Sequence, residues 1–239
     1  MSEERFGASE ASVPAWDLPT RLFKWSLVFL VLFSWASMQA GDQWITWHVR
    51  SGYAILVLLV FRLLWGAVGS STARFSAWVT WPWTALSYAV ALLTGRGRPY
   101  LGHNPLGGWM IIVLLVLVAA QAITGLFTVD NNGMYGGPFA NLDFGDPTPV
   151  QRLFSRWHHW AFNLLLGFIA VHIAVNLFYQ FVKSDPVVGA MITGRKPVEP
   201  FADQAEMRPA RFEGLRALGC LAAAVLVVLG GVKLAGGSL

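Results

Sequence analysis

Residues 107–127 run through 21 positions without one charged side chain. A helix over that stretch is about 30 Å long at 1.5 Å of rise per residue, which matches the hydrocarbon core of a bilayer. A chain containing it crosses a membrane. Asn104-Pro105 ahead of it has the form of an N-cap followed by proline at the first helical position.

Four further apolar stretches have the same character. Residues 22–40 contain one charge, Lys24, and follow Asp17-Leu18-Pro19-Thr20, where Thr20 is the expected cap and Pro19 stops any earlier helix. Residues 48–68 contain Arg50 and Arg62, and only the short link Gly41-Asp42-Gln43 separates them from the first stretch, so the two helices are antiparallel neighbours. Residues 157–182 are long enough to tilt or to project beyond the bilayer. Residues 217–232 are rich in Ala and Gly, which suits close packing against another helix. Pro82 opens an apolar run to Thr94 that is too short to span and reads as an interfacial helix beside Trp78, Trp81 and Trp83.

The expected fold is an all-α integral membrane helix bundle with four core transmembrane helices, a fifth C-terminal one and an interfacial helix. Its parts are a cytoplasmic N-terminal segment (1–19), a four-helix transmembrane bundle (20–183), a cytoplasmic link (184–214) and the C-terminal helix (215–239). Residues 128–155 read as a loop, with Asp130-Asn131-Asn132-Gly133 and Asp146-Pro147 as turn signals. Glu3, Glu4, Arg5 and Glu10 precede the first apolar run with no small-residue cleavage site after it, so the N-terminus does not read as a signal peptide.

Composition narrows the function. With 55% hydrophobic and 13% charged residues the chain is far from a soluble domain, and its 12 tryptophans suit the headgroup level of a membrane. The formal charge of +4 fits cytoplasmic loops better than nucleic acid, since no interleaved basic and aromatic pattern is present. Cys220 is the single cysteine, a small packing residue that leaves no disulfide, no thiolate zinc site and no thioether-linked haem.

Three of the five histidines, His158, His159 and His172, lie in the fourth stretch. The 14 residues from His158 to His172 return to within roughly 40° of one helix face, about 21 Å apart along the axis. Counting Lys and Arg near the span ends gives twelve on one side against four (Arg50, Arg152, Arg156 and Lys233) on the other, which puts the N-terminus in the cytoplasm and the C-terminus outside. His48 and His158 then start their helices at the outer surface as a facing pair. His172 lies deeper, toward the cytoplasm, opposite Lys24.

Two imidazoles from facing helices saturate a haem iron and suit electron transfer, whereas the bland alternative is a pair of histidines hydrogen-bonded between helices. His159 points about 100° away from His158 and is the weaker ligand candidate. Arg62 repeats the 14-residue interval from His48; it either pairs with propionates of an inner haem or snorkels to the surface. Gly52, one turn after His48, leaves room for a porphyrin or for ordinary helix packing. His103 either orders the turn before the third span or reaches a quinone head group or a propionate.

These residues stand in an ordered series of motifs: Asp17-Leu18-Pro19-Thr20-Arg21-Leu22-Phe23, His48-Val49-Arg50-Ser51-Gly52-Tyr53, Arg62-Leu63-Leu64-Trp65-Gly66, Gly102-His103-Asn104-Pro105-Leu106-Gly107-Gly108, Thr124-Gly125-Leu126-Phe127 and Met191-Ile192-Thr193-Gly194-Arg195-Lys196. Through them, over residues 15–197, the chain resembles the bacterial cytochrome b561 family, which includes b-type cytochrome subunits associated with nickel-iron hydrogenases. The resemblance implies two b haems in the inner membrane, carrying electrons between the quinone pool, such as ubiquinone, and a periplasmic redox partner, often a c-type cytochrome. Relatives also include a quinone-reducing enzyme that oxidises superoxide, so an electron-transfer subunit and a quinone-linked oxidoreductase both remain open. Carried over position by position, His48 and His158 ligate the outer haem and His172 the inner one. The family pattern has histidine where this chain has Lys24, so Lys24 ligates the inner iron, or that iron is five-coordinate, or the inner haem is absent. A haem-free anchor or transporter is the remaining alternative, against which the spans carry no carboxylate between the surfaces. The oligomeric state, a homodimer included, is left open.

Overall fold

A computed structural model of the chain describes residues 11–130, 135–140 and 147–237. The acidic N-terminal residues Glu3, Glu4 and Glu10 with Arg5, and the turn signals at Asn131-Asn132-Gly133 and Asp146, lie outside the described residues. In chain order the elements are β1 (Ser12–Pro14), α1 (Leu18–Gln39), a 3-10 turn (Asp42–Trp44), α2 (Ile45–Val68), α3 (Phe75–Trp78), α4 (Pro82–Leu93), α5 (Pro105–Gly125), α6 (Pro149–Phe181), α7 (Val187–Thr193), β2 (Arg195–Pro197), α8 (Glu213–Val225), a π-helical stretch (Leu226–Gly230) and α9 (Gly231–Leu234). Among the described residues, five helical stretches are long and apolar enough to cross a membrane: Leu18–Gln39, Asp42–Val68, Pro105–Gly125, Pro149–Phe181 and Glu213–Leu234. The all-α membrane bundle is therefore the fold, with α4 as the short sixth apolar helix.

Several helix ends differ from the sequence expectation. α1 begins at Leu18 because Asp17, not Thr20, is its cap: the carboxylate accepts from Thr20 N at 2.6 Å. Pro19 does not stop a helix; it sits in the first turn of this one, where its missing N–H is not needed. Asp17 also accepts from Trp65 Nε1 at 3.2 Å and from Ser70 Oγ, so it fastens α1 to the end of α2 from a buried position.

α6 starts two turns earlier than expected, at Pro149, through a capping box in which Thr148 Oγ1 accepts from Gln151 N and Gln151 Oε1 accepts from Thr148 N. Arg152 and Arg156 therefore ride on the projecting end of the helix instead of a loop. The link after α6 is also more ordered than its polar, proline-bearing composition suggests. Gly194, at φ 80°, closes α7, and its carbonyl receives the N–H groups of Ala15 and Trp16 at 2.8 and 3.1 Å. β1 and β2 then pair antiparallel, with Val13 opposite Lys196.

α1 packs along α2, α5 packs along α6, and α2 joins the two pairs by touching α5 while α8 covers its other side. The backbone of α6 does not run alongside α1 or α2 among the described residues. Side chains fill the middle of that gap: Ile55, Leu59, Val118 and Leu165 are buried together, with Leu30, Val31 and Ile169 around them. At the end of the bundle where α1 starts, the inner end of the sequence expectation, a second cluster of Ala15, Trp16, Leu101 and Ala190 forms a cap from three separate segments. Lys196 is buried in that cap, paired with Asp185 at 2.8 Å and donating to Tyr100 O.

Candidate functional site

The outer end of the gap holds His48 of α2 and His158 of α6, with ring centres 6.1 Å apart and planes at 87°. Each imidazole is oriented by a neighbouring helix. His48 Nδ1 lies 2.9 Å from Ser34 O of α1, and His158 Nδ1 lies 2.9 Å from Gln121 O of α5. A carbonyl only accepts, so Nδ1 carries the proton in both rings and Nε2 keeps its lone pair, the form in which histidine binds a metal. Gln121 Nε2, 3.0 Å from His158 Nε2, donates to that lone pair.

The spacing fits a shared iron. Two imidazoles on opposite sides of one metal, at bonds of about 2 Å each, have ring centres roughly 6 Å apart. Gly125 makes the arrangement possible from the α5 side, because a Cβ there would stand 3.0 Å from His158 Cε1. At Gly52, by contrast, an added Cβ meets no protein atom within 4 Å, which leaves open space beside His48. His159 is exposed, its ring centre is 6.2 Å from that of His158, and its Nδ1 lies 2.7 Å from Ser155 O.

Seven residues further along each helix the two stations are separated. Ile55 lies midway between His48 and Arg62, and Leu165 midway between His158 and His172; they are 7% and 2% exposed. The pair forms a dry apolar layer across the centre of the bundle.

The inner station has a different chemistry. His172 is half-buried, with Asn176 Nδ2 3.1 Å from its Nε2 and 2.7 Å from its backbone oxygen. Lys24 Nζ, within electrostatic reach of His172, donates to Met191 Sδ at 3.0 Å and lies 3.7 Å from the centre of the Trp16 ring. Arg62 is 3% exposed, with its guanidinium 4.7 Å over Phe75 and 5.6 Å from Trp78. Of the two roles open to it, snorkelling to the surface is not the one observed.

His103 sits between Trp16 and Trp78 at ring distances of 4.9 and 5.0 Å. Burial, and then the positive charges of Lys24 and Arg62, hold its imidazole well below the usual histidine range, so it is neutral. Asn104 caps the third span, as its place before Pro105 suggests, by accepting from Gly107 N at 2.8 Å. Arg62 Nη1, His103 Nδ1, Trp16 Nε1 and Trp78 Nε1 are all buried without a hydrogen-bond partner. Orphaned buried donors of this kind are uncommon, since each carries a desolvation cost of about 1–3 kcal/mol. They suit a group that brings acceptor oxygens, as the propionates of a haem do.

Sequence reasoning missed Gly125, Leu165, Trp16, Trp78 and Met191. Leu165 was findable as the midpoint of the His158–His172 interval, and Gln121 as a lone amide in the charge-free span. The positions of Trp16 and Trp78 depend on long-range packing that no local pattern announces. No cluster of three or more His, Cys, Asp or Glu fit to hold a bare metal ion occurs among the described residues. A porphyrin-held iron asks the protein only for axial donors.

Apolar helices enclosing separated nitrogen donors outline a membrane b-type cytochrome. The profile of the prokaryotic cytochrome b561 family matches residues 15–194, and the chain belongs to that family. Among similar proteins, the probable Ni/Fe-hydrogenase B-type cytochrome subunit of Azotobacter chroococcum mcd 1 is 24% identical over 214 residues, covering 77% of this chain and 88% of that one. The protein of the same description from Azotobacter vinelandii has the same identity and coverage. The probable Ni/Fe-hydrogenase 1 B-type cytochrome subunit of Escherichia coli K12 is 23% identical over 158 residues, covering 62% of this chain and 67% of that one. No solved structure matches the chain significantly.

Proposed function

We propose that this cytochrome carries electrons across the bacterial inner membrane through two b haems, between the quinone pool and a periplasmic redox partner. The observation that carries the reading is the stacking of two donor stations at opposite ends of one bundle, separated by the apolar layer at Ile55 and Leu165. Haem supplies one-electron iron chemistry when bound, and two strong axial ligands keep it to electron transfer. His48 and His158 would hold the outer haem, and Gly52 would leave room for its ring beside α2. His172 would hold the inner haem, with Lys24 as the second donor. Lys24 would have to leave Met191 and Trp16 to do so, which its flexible stem allows.

The excess of Lys and Arg at the inner ends supports an N-terminus in the cytoplasm and a C-terminus in the periplasm. On that orientation the outer rim carries exposed Arg50, Arg152 and Arg156, which favours an acidic partner surface. The names of the similar proteins support a hydrogenase as that partner, and a c-type cytochrome fits the same chemistry. The basic rim also suits a small anion, which keeps superoxide oxidation coupled to quinone reduction as the competing reading.

A reduced-minus-oxidised spectrum with a haem-to-protein ratio tests the central point: two b haems per chain are expected, and absence of a b-type band ends the reading in favour of a haem-free anchor or transporter. Stopped-flow reduction by superoxide, compared with electron exchange with a c-type cytochrome or hydrogenase, separates the two outer reactions.

A further inference from the structure

We propose that Trp16, Arg62, Trp78 and His103 form a receptor for carboxylate groups at the cytoplasmic end of the bundle, and that the groups it takes are the propionates of the inner haem. The inference rests on the two-haem reading and adds the residues that hold the inner haem by its edge.

Each of the four side chains presents a buried polar atom with no hydrogen-bond partner: the donors Trp16 Nε1, Arg62 Nη1 and Trp78 Nε1, and His103 Nδ1, which donates in the tautomer that carries its proton there. They are contiguous, since His103 lies against both indoles at 4.9 and 5.0 Å and the Arg62 guanidinium is 5.6 Å from the Trp78 ring. Indole and guanidinium groups donate and never accept, so the ligand must supply acceptors.

The nearby carboxylates are already committed. Asp17 accepts from Thr20 N, Trp65 Nε1 and Ser70 Oγ. Asp185 pairs with Lys196, and Asp203 accepts from Leu101 N and Gly102 N at 2.8 and 3.0 Å. Among the described residues no carboxylate near the cluster is left over, and the proposal assigns the acceptor to a bound group. Arg62 and the adjacent Lys24 make an anion the better match than a neutral carbonyl. His172 interacts electrostatically with both His103 and Lys24, so the cluster lies at the same end of the bundle as that candidate iron ligand. The four donors come from four segments: the strap before α1, α2, α3 and the loop before α5. A bound dicarboxylate joins all of them.

The test uses the purified full-length holoprotein and the variants Trp16→Phe, Trp78→Phe, Arg62→Gln and Arg62→Lys. Phenylalanine keeps an aromatic ring and deletes the N–H. Redox-difference infrared spectra with haem labelled at the propionate carboxyls, together with redox titration of each haem, are the readouts. The expected result is that Trp16→Phe and Trp78→Phe shift the inner haem's carboxylate bands, and that Arg62→Gln also moves its midpoint potential downward. Arg62→Lys restores part of that shift, and an unchanged outer-haem spectrum reports an intact fold. Two haems per chain with bands and potential unmoved in all variants overturn the receptor alone. Variants that alter only quinone reduction make the cluster a quinone site and overturn the propionate assignment. A wild-type protein with a single haem overturns both this inference and the reading on which it rests.

Discussion

The two ends of the bundle solve one problem with different materials. At the outer end each ring is set by a backbone carbonyl of the neighbouring helix: Ser34 O of α1 for His48 and Gln121 O of α5 for His158. Each helix pair, α1 with α2 and α5 with α6, thus carries its own aligned imidazole, and the site needs only the docking of two prepared halves. At the inner end Lys24, Trp16, His103 and Trp78 come from a helix turn, a strap and two connecting segments. Precision from helices gives a fixed station, and side chains drawn from loops give one that can be retuned by single substitutions.

The largest way to break the comparison is His158→Ala. It removes a proposed axial ligand from the outer station only, so about half of the b-haem absorbance is expected to disappear while the inner spectrum stays. Loss of both haems together would mean the stations are not independent. Next in size is Lys24→Ala, expected to turn the inner haem from low-spin to high-spin by visible and electron paramagnetic resonance spectra, with Lys24→His returning it to low-spin. An unchanged low-spin signal in the alanine variant removes Lys24 from the iron.

Two glycines sharpen the outer side. Gly125→Ala places a Cβ 3.0 Å from His158 Cε1 and is expected to lower outer-haem content by tilting the ring. Gly52→Ala meets no protein atom within 4 Å, so a loss of outer haem in that variant reports a clash with the porphyrin itself. Retention of full haem content would place the porphyrin edge elsewhere. The smallest effect is expected of Thr148→Ala, which deletes half of the α6 capping box and should cost about 1 kcal/mol in a thermal or denaturant melt. Both haem spectra should stay as they are.

The spans were legible because apolar runs and a helix period are local properties, and the same period aligned His158 with His172. The start of α6 was not, although Thr148 and Gln151 stood at capping-box spacing, because Asp, Gly and Pro crowd the residues before them and argue for a loop. At α1 the sequence reading puts the cap at Thr20; burial against Trp65 and Ser70, contributed from about 50 residues away, decides for Asp17. Three-residue strands such as β1 and β2 show no alternation at all. The inner site was half visible: Lys24, Arg62 and His103 stood out as charged or titratable groups in an apolar chain, whereas Trp16 and Trp78 were two tryptophans among 12.

The pairing of β1 with β2 also sets a schedule. Val13 finds its partner only when Lys196 has been synthesised, after four of the five spanning helices have left the ribosome. His48 and His158 can meet before that moment, but Trp16 cannot settle against His103 until the strap is tied down. During biogenesis the end that carries the strap is therefore the last to shut, while the opposite end is already complete.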